Sequence, residues 1–184
     1  MNKLYFATGN KAKSDAAKEH LKDFFEIENV KLDIIEPQTL DQEEVALCKV
    51  RQAFDLVKKP VFCEDLGLYI EKYNNFPGVL TAFVLQGIGL EEVKKLIKDK
   101  EPAFYKTTIA YKDNETEFCS QIIMKGYLTT NISKKSNATF RSMFVPKGCN
   151  CTVTDLDKKE YSELPYNKGL YEVFIKDLKK FNKI

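Results

Sequence analysis

Lys3-Leu4-Tyr5-Phe6-Ala7-Thr8-Gly9-Asn10-Lys11-Ala12-Lys13 opens the chain with an apolar run that stops at a glycine and turns polar. This pattern reads as a buried β-strand, a tight turn and the start of a helix. Asn10 or Ser14 caps a helix expected to reach about Phe25, with Ala16, Ala17, Leu21 and Phe24 inward. Val30 to Ile35 alternates and predicts a second strand. Asp41 to Val57 predicts a helix with Val45, Ala46, Val50, Ala53 and Phe54 inward. Val61-Phe62-Cys63 follows as a third strand, with Glu64-Asp65 at its C-terminal end.

Working outward, Asn74 to Gly78 predicts a turn, with Pro77 in the first turn of a helix through about Leu85. Gly87 and Gly89 interrupt it, and Leu90 to Lys98 predicts another helix. Ala103–Tyr111 and Thr116–Tyr127 are β-rich and joined by the turn Asp113-Asn114. A strand at Phe140–Val145 and a closing amphipathic helix at Leu170–Phe181 complete the expectation. The order βαβαβ, then helices, hairpin and helix, indicates an α/β fold with a mixed sheet. No repeat or linker divides the chain, so residues 1–184 are expected to form a single domain.

Composition excludes several function classes. Lys+Arg number 29 and Asp+Glu 27, a net charge of +2, which is no footprint for a dedicated nucleic-acid binder. No apolar run approaches the ~18 residues of a membrane span. Met1 to Phe6 is too short an apolar stretch for a signal peptide, so a cytoplasmic location is expected. Five cysteines, an odd count without framework spacing, read as free thiols. Cys149-Asn150-Cys151 lacks a second zinc-ligating pair, and His20 is the sole histidine. Arg51 and Arg141 are the only arginines, so phosphate contacts must fall to lysines, backbone amides and metal.

In open α/β sheets, ligands sit beyond the C-terminal ends of strands. That rule selects Thr8-Gly9-Asn10, Glu36 and Glu64-Asp65. A helix N-terminus after Gly9 favours an anion, and Lys13, one turn in, can reach back to a phosphate. The pattern is not a Walker loop, and the same turn also serves as an ordinary cap with solvated lysines. Asp41, Glu43 and Glu44 suit a helix start electrostatically. Glu36 and Asp65 suit Mg²⁺, a hard ion that takes one or two carboxylates, waters and phosphate oxygens. Lys49 is on the following helix and can face the same edge.

Thr8-Gly9-Asn10-x-x-Lys13, Glu36-Pro37-Gln38, Glu64-Asp65-Leu66-Gly67-Leu68 and Phe76-Pro77-Gly78 occur in that order. Together they resemble the inosine triphosphatase family, the house-cleaning nucleoside triphosphate pyrophosphatases. A weaker match continues in Phe144-Val145-Pro146-Lys147-Gly148 and Thr152. The resemblance implies an elongated α/β fold, with two lobes around a central nucleotide cleft. It implies a homodimer that requires Mg²⁺ and cleaves between the α- and β-phosphates. By position, Thr8, Gly9, Asn10, Lys11, Lys13 and Lys49 would hold the triphosphate. Glu36 and Asp65 would hold the metal, Asp65 would also help activate water, and Lys13 would stabilise the leaving pyrophosphate.

The chain departs from this pattern in the half that reads the base. Where the family has Phe-Gly-(Tyr/Trp)-Asp, this sequence has Ala138-Thr139-Phe140-Arg141. Where it has a lysine and then Ser-His-Arg, ungapped counting gives Tyr161 and Pro165-Tyr166-Asn167, or Asn167-Lys168 with a shift of one. Leu66 replaces a small polar residue after Asp65. Phe140 or Tyr166 could supply stacking, and Arg141 could donate to a base oxygen. Two readings follow: a pyrophosphatase with altered base preference, or a catalytically impaired nucleotide-binding homologue. An unrelated α/β protein binding another phosphorylated ligand is a third.

Overall fold

The structure is a computed structural model that describes residues 2–135 and 139–184, and at positions 158, 165 and 168 the backbone only. The elements run β1 (Asn2–Ala7), α1 (Lys11–Leu21), β2 (Phe25–Val30), α2 (Gln42–Val57), β3 (Val61–Ile70), β4 (Phe76–Gly78), α3 (Thr81–Gly87), α4 (Gly89–Leu96), β5 (Glu101–Lys112), β6 (Glu117–Leu128), β7 (Phe144–Pro146), α5 (Lys158–Glu163) and α6 (Pro165–Lys180). Seven strands form one mixed sheet in the order β2-β1-β3-β5-β6-β7, with β4 paired to β3. β1 pairs parallel with β2 and with β3, while β3–β4 and β6–β7 are antiparallel. The expected mixed α/β architecture with flanking helices is what the chain adopts. Among the described residues no helix is long and apolar enough to cross a membrane.

The chain builds two compact units. One comprises Met1–Asp65, Thr107–Ile122 and Lys168–Ile184, and the other Leu66–Lys106 and Ile123–Asn167. Each crossing falls inside a regular element (β3, β5, β6 or α6) and none in a linker.

In the first unit the alternation of strand side chains divides the core in two. Leu4, Phe6 and Phe62 join Ala17 and Leu21 of α1 and Phe174 and Leu178 of α6. The Phe6 and Phe62 rings stack with centroids 4.1 Å apart. Val61 and Cys63 point the other way, into a cluster with Ala46, Val50 and Ala53 of α2. Burying a leucine, valine or phenylalanine side chain stabilises by roughly 1.5–3 kcal/mol, so all three helices are held firmly on the sheet. In the second unit Leu68, Ile70, Tyr105, Leu128, Met143 and Phe144 form a separate core with Leu90 and Val93 of α4. Gly67 has no room for a side chain there, since a Cβ would lie 2.7 Å from the Gly78 carbonyl oxygen.

Four expectations need correction. The second strand is Phe25–Val30, not Val30–Ile35. Its register runs from Asn2↔Phe25 to Ala7↔Val30, so backbone pairing stops where β1 stops. The alternation beyond it comes from Leu32 and Ile34 packing toward α2 without a strand partner. The first helix correspondingly ends at Leu21 rather than Phe25. Pro77 lies in β4 opposite Tyr69, not in a helix, and the next helix starts at Thr81. The expected strand at Phe140–Val145 is a 3-10 turn at Phe140–Ser142 followed by β7. The short helix α5, with a capping box between Asp157 and Glu160, has no counterpart among the sequence expectations.

Candidate active site

The first unit assembles the residues selected at the strand ends. Asn10 is the N-cap of α1, its side chain accepting from the amides of Ala12 and Lys13 at 3.0 and 3.2 Å. The Asn10 amide in turn donates to Thr8 Oγ1 at 3.1 Å. Thr8, Gly9 and Asn10 thus form a self-capped turn, with Lys13 in the first turn of the helix. Lys11 is exposed. The anion-attracting part is the Lys13 ammonium together with the positive end of the helix, because Asn10 already satisfies two of the leading amides.

Glu64 and Asp65 do not sit at the end of their own strand, since β3 continues to Ile70. They sit just past the end of its partner. Tyr5 pairs with Val61 and Phe6 with Phe62. Continuing that register sets Thr8 level with Glu64. The strand-end rule therefore found the right place through β1.

Side-chain alternation then sends the two neighbouring carboxylates toward different helices. Glu64 follows the Phe62 face to α1, where Lys13 Nζ lies 3.1 Å from its carboxylate and 3.4 Å from its carbonyl oxygen. Asp65 follows the Val61–Cys63 face to α2, where Lys49 Nζ lies 3.1 Å from Oδ1. The same Lys49 ammonium lies 2.7 Å from Glu36 Oε1. The segment carrying Glu36 is tied to α2 by Gln52, which bonds both the amide and the carbonyl of Ile35. Burial works against the Lys49 charge, but Asp65 and Glu36 outweigh it and the net shift of its pKa is upward. Lys49 is thus a fixed cation between two carboxylates.

Two features are not legible in the local sequence: the pairing of Glu64 with Lys13, and the part played by Gln42. Gln42 is fully buried, and its side-chain amide donates to Asp65 Oδ2 at 3.1 Å. A signal was present: Gln42 and Lys49 are seven residues apart, two turns, and share one face of α2.

Glu36 and Asp65 are the residues able to hold a divalent ion. They are oxygen donors that already converge on one cation, the Lys49 ammonium, which suits a hard metal. Among the described residues no group of three or more His, Cys, Asp or Glu gathers as a metal cluster. Cys63 beside the pair is buried, and burial pushes its thiol up to about 12. Its Sγ donates to the Ala46 carbonyl at 3.3 Å.

Phe140, Arg141 and Tyr166 belong to the second unit. Phe140 needs correction as a stacking ring: it is 2% exposed and packs in that unit's core. Arg141 is exposed, with its guanidinium 5.9 Å from the centroid of the Tyr161 ring. Tyr166 is buried. Asn167 donates through its side chain to the Tyr161 carbonyl. Burial raises the Tyr105 hydroxyl pKa well above the usual tyrosine range, against a smaller opposing pull from Arg141. Ala138 lies outside the described residues, as do the side chains of Pro165 and Lys168. Leu66, the departure after Asp65, packs against the core of this unit.

Thr8, Asn10, Lys13, Glu36, Glu64 and Asp65 lie in the motifs that carry the sequence resemblance, and similarity to known proteins extends along most of the chain. The chain is 28% identical over 183 residues to a dITP/XTP pyrophosphatase of Saccharolobus solfataricus, covering 97% of this chain and 95% of the relative. It is 30% identical to a protein of the same name from Methanopyrus kandleri, covering 94% of each chain. It is 31% identical to an inosine triphosphate pyrophosphatase of Candida glabrata, covering 95% of this chain and 96% of that one. By these names the relatives are hydrolases of nucleoside triphosphates. The fold is similar to the Staphylococcus aureus Ham1 protein, with TM-score 0.83, 16% identity and coverage of 98% of this chain and 100% of that one. It is also similar to a Coxiella burnetii HAM1 protein, with TM-score 0.82, 21% identity and the same coverage. Residues 4–165 match the sequence pattern of one family, and on these grounds the chain belongs to the Ham1 family.

Proposed function

We propose that this chain is a Mg²⁺-dependent nucleoside triphosphate pyrophosphatase, releasing nucleoside monophosphate and pyrophosphate. The observation that carries the reading is the paired arrangement on adjacent residues of β3, Lys13 on Glu64 and Lys49 on Asp65 and Glu36. Two ammonium groups held beside carboxylates suit a ligand that is itself a chain of charged oxygens. The family relationship and the names of the relatives support the same conclusion.

Each residue then has a definite task. Thr8, Gly9 and Asn10 shape the turn and aim the start of α1 at the phosphates. On binding, Lys13 and Lys49 turn from carboxylate to phosphate oxygens. Lysine charge and helix dipole stabilise the negative charge that grows on the departing pyrophosphate. Asp65 accepts a proton from the attacking water as the α–β phosphoanhydride bond breaks. Mg²⁺, held by Glu36 and Asp65, would neutralise developing charge and lower the pKa of bound water.

Arg141 and Tyr166 are the remaining proposed substrate contacts. No acidic reader stands at position 141, so selectivity for deaminated purines is expected to be relaxed; lost hydrogen bonds to a base cost discrimination by orders of magnitude. We further propose that residues 1–184 act as one domain, as a homodimer in the cytoplasm, without nucleic-acid or membrane partners. A second reading, a catalytically impaired nucleotide-binding protein, is favoured only by the buried Phe140 and the altered base half.

The test is a product assay with Mg²⁺ and inosine, xanthosine, adenosine, guanosine and pyrimidine triphosphates, scoring pyrophosphate against orthophosphate. Pyrophosphate from the wild type, abolished in Asp65→Asn, is the expected result. Nucleotide binding without turnover of any member of the panel would overturn the enzymatic reading in favour of the second.

A further inference from the structure

We propose that Gln42 is the positioning residue of Asp65, holding Oδ2 so that Oδ1 alone is presented to the cation shared with Glu36. The proposal rests on the pyrophosphatase reading. It starts from a residue in an unusual place: Gln42 is 0% exposed, at the first turn of α2, where the neighbouring inward positions are the apolar Val45 and Ala46. Burying a primary amide costs free energy unless it is hydrogen-bonded. A buried glutamine therefore has to be explained by what it bonds, and its Nε2 lies 3.1 Å from Asp65 Oδ2.

The two oxygens of Asp65 are thus divided. Oδ1 faces Lys49 Nζ at 3.1 Å, and that ammonium also faces Glu36 Oε1 at 2.7 Å. Oδ2 faces Gln42. An Asp side chain without the second contact could turn about its terminal torsion, which is broad and weakly restrained. The donor is also neutral. Glu36, Asp65 and Lys49 together carry a net charge of −1, which a second lysine at position 42 would cancel. Gln42 fixes the carboxylate geometrically while leaving the pair its affinity for positive charge. Asparagine would be one methylene too short to do this from the same backbone position.

The test compares wild type with Gln42→Met, which conserves shape and removes the donor, and with Gln42→Leu as a second apolar variant. Mn²⁺ is the metal probe, with affinity measured by electron paramagnetic resonance of the free ion. Melting temperature and kcat against KM for the best triphosphate are measured alongside. Outer-shell partners of metal ligands typically contribute ten- to hundredfold to affinity or activity. The expected result is Mn²⁺ affinity at least tenfold weaker and kcat down by a similar factor. KM for the nucleotide should stay within about twofold, with both variants still folding cooperatively. Mn²⁺ affinity equal to wild type in the folded variants overturns the proposal, whatever their melting temperature. Wild-type protein that binds Mn²⁺ but turns over no triphosphate defeats the pyrophosphatase reading, and the affinity comparison still decides the role of Gln42. Wild type that neither binds Mn²⁺ nor turns over defeats both.

Discussion

Replacing Lys49 by methionine removes one positive charge and keeps most of the stem. In the native protein the Lys49 side chain is 16% exposed, Asp65 12% and Glu36 50%. Deleting one partner of a buried pair typically costs about 3–5 kcal/mol, because a desolvated charge is left behind. Two features lower that figure here. Glu36 is half in water, where a pair contributes about 1 kcal/mol or less, and Asp65 keeps its bond from Gln42. The expected loss is about 2–3 kcal/mol. Unfolding entropy for a chain of this length is about 0.4 kcal/mol/K, so the melting temperature should fall by about 5–8 °C at pH 7. The assay is thermal unfolding of both proteins at pH 7 and pH 4, with and without 10 mM Mg²⁺ (about 10 mM suffices for a weak oxygen site). The raised pKa of Lys49 means its contribution is fully present below its unfolded value and lost only as pH rises through the folded one. Wild type should therefore show no Lys49 signal between pH 6 and 9. In Lys49→Met the penalty comes from unneutralised carboxylates, so the gap to wild type should narrow as pH falls into the carboxylate range. Mg²⁺ should raise the variant's melting temperature more than the wild type's. A gap of the same size at pH 7 and pH 4, indifferent to Mg²⁺, would show that the lysine packs rather than neutralises.

Lys13→Met, which removes the cation from Glu64, should lower kcat/KM at least tenfold on any triphosphate that the wild type cleaves, read by pyrophosphate release. Glu117 has its pKa lowered to about 2, chiefly by its bond to Arg51. Its contribution is present above the ordinary glutamate value and lost as pH falls from about 4.5 toward 2. Glu117→Gln should flatten the acid limb of the stability profile over that window, measured by urea midpoints. A Cβ at Gly126 would collide with the Val145 carbonyl oxygen and lie 2.7 Å from the Phe144 ring. Gly126→Ala should therefore cost about 1–3 kcal/mol or more by forcing β6 and β7 apart, visible as a lower melting temperature. Cys63, buried with a raised pKa, should be the slowest of the five thiols to react with a disulfide reagent in the native protein, by mass spectrometry.

Elements whose signals are local were legible in the amino-acid sequence. The βαβαβ opening, the Asn10 cap, the inward face of α2 and the β5–β6 hairpin follow from periodicity, turn residues and capping, each confined to a few neighbouring positions. The sequence also pointed to Thr8, Glu36 and Asp65, although only Thr8 follows directly on a strand end: Asp65 lies inside β3, and Glu36 lies six residues past the end of β2. The motifs extended this to family and activity, at positions where residue type and spacing are constrained together. The other features depend on contacts between distant parts of the chain. Pairing with β1, not alternation, set the limits of β2, because a strand lasts only as long as its partner. β3 runs on past Asp65 because β4 pairs with its second half, which no local pattern around Glu64 announces. Phe140 went into the core because the 3-10 turn that carries it packs against Met143 and Phe144, and an isolated aromatic in a sequence carries no sign of which way its ring faces. The partners of the two carboxylates, Lys13 for Glu64 and Lys49 with Gln42 for Asp65, depend on which side of the sheet each helix covers. That is a property of the packed molecule, since side-chain alternation fixes only that neighbouring carboxylates part company.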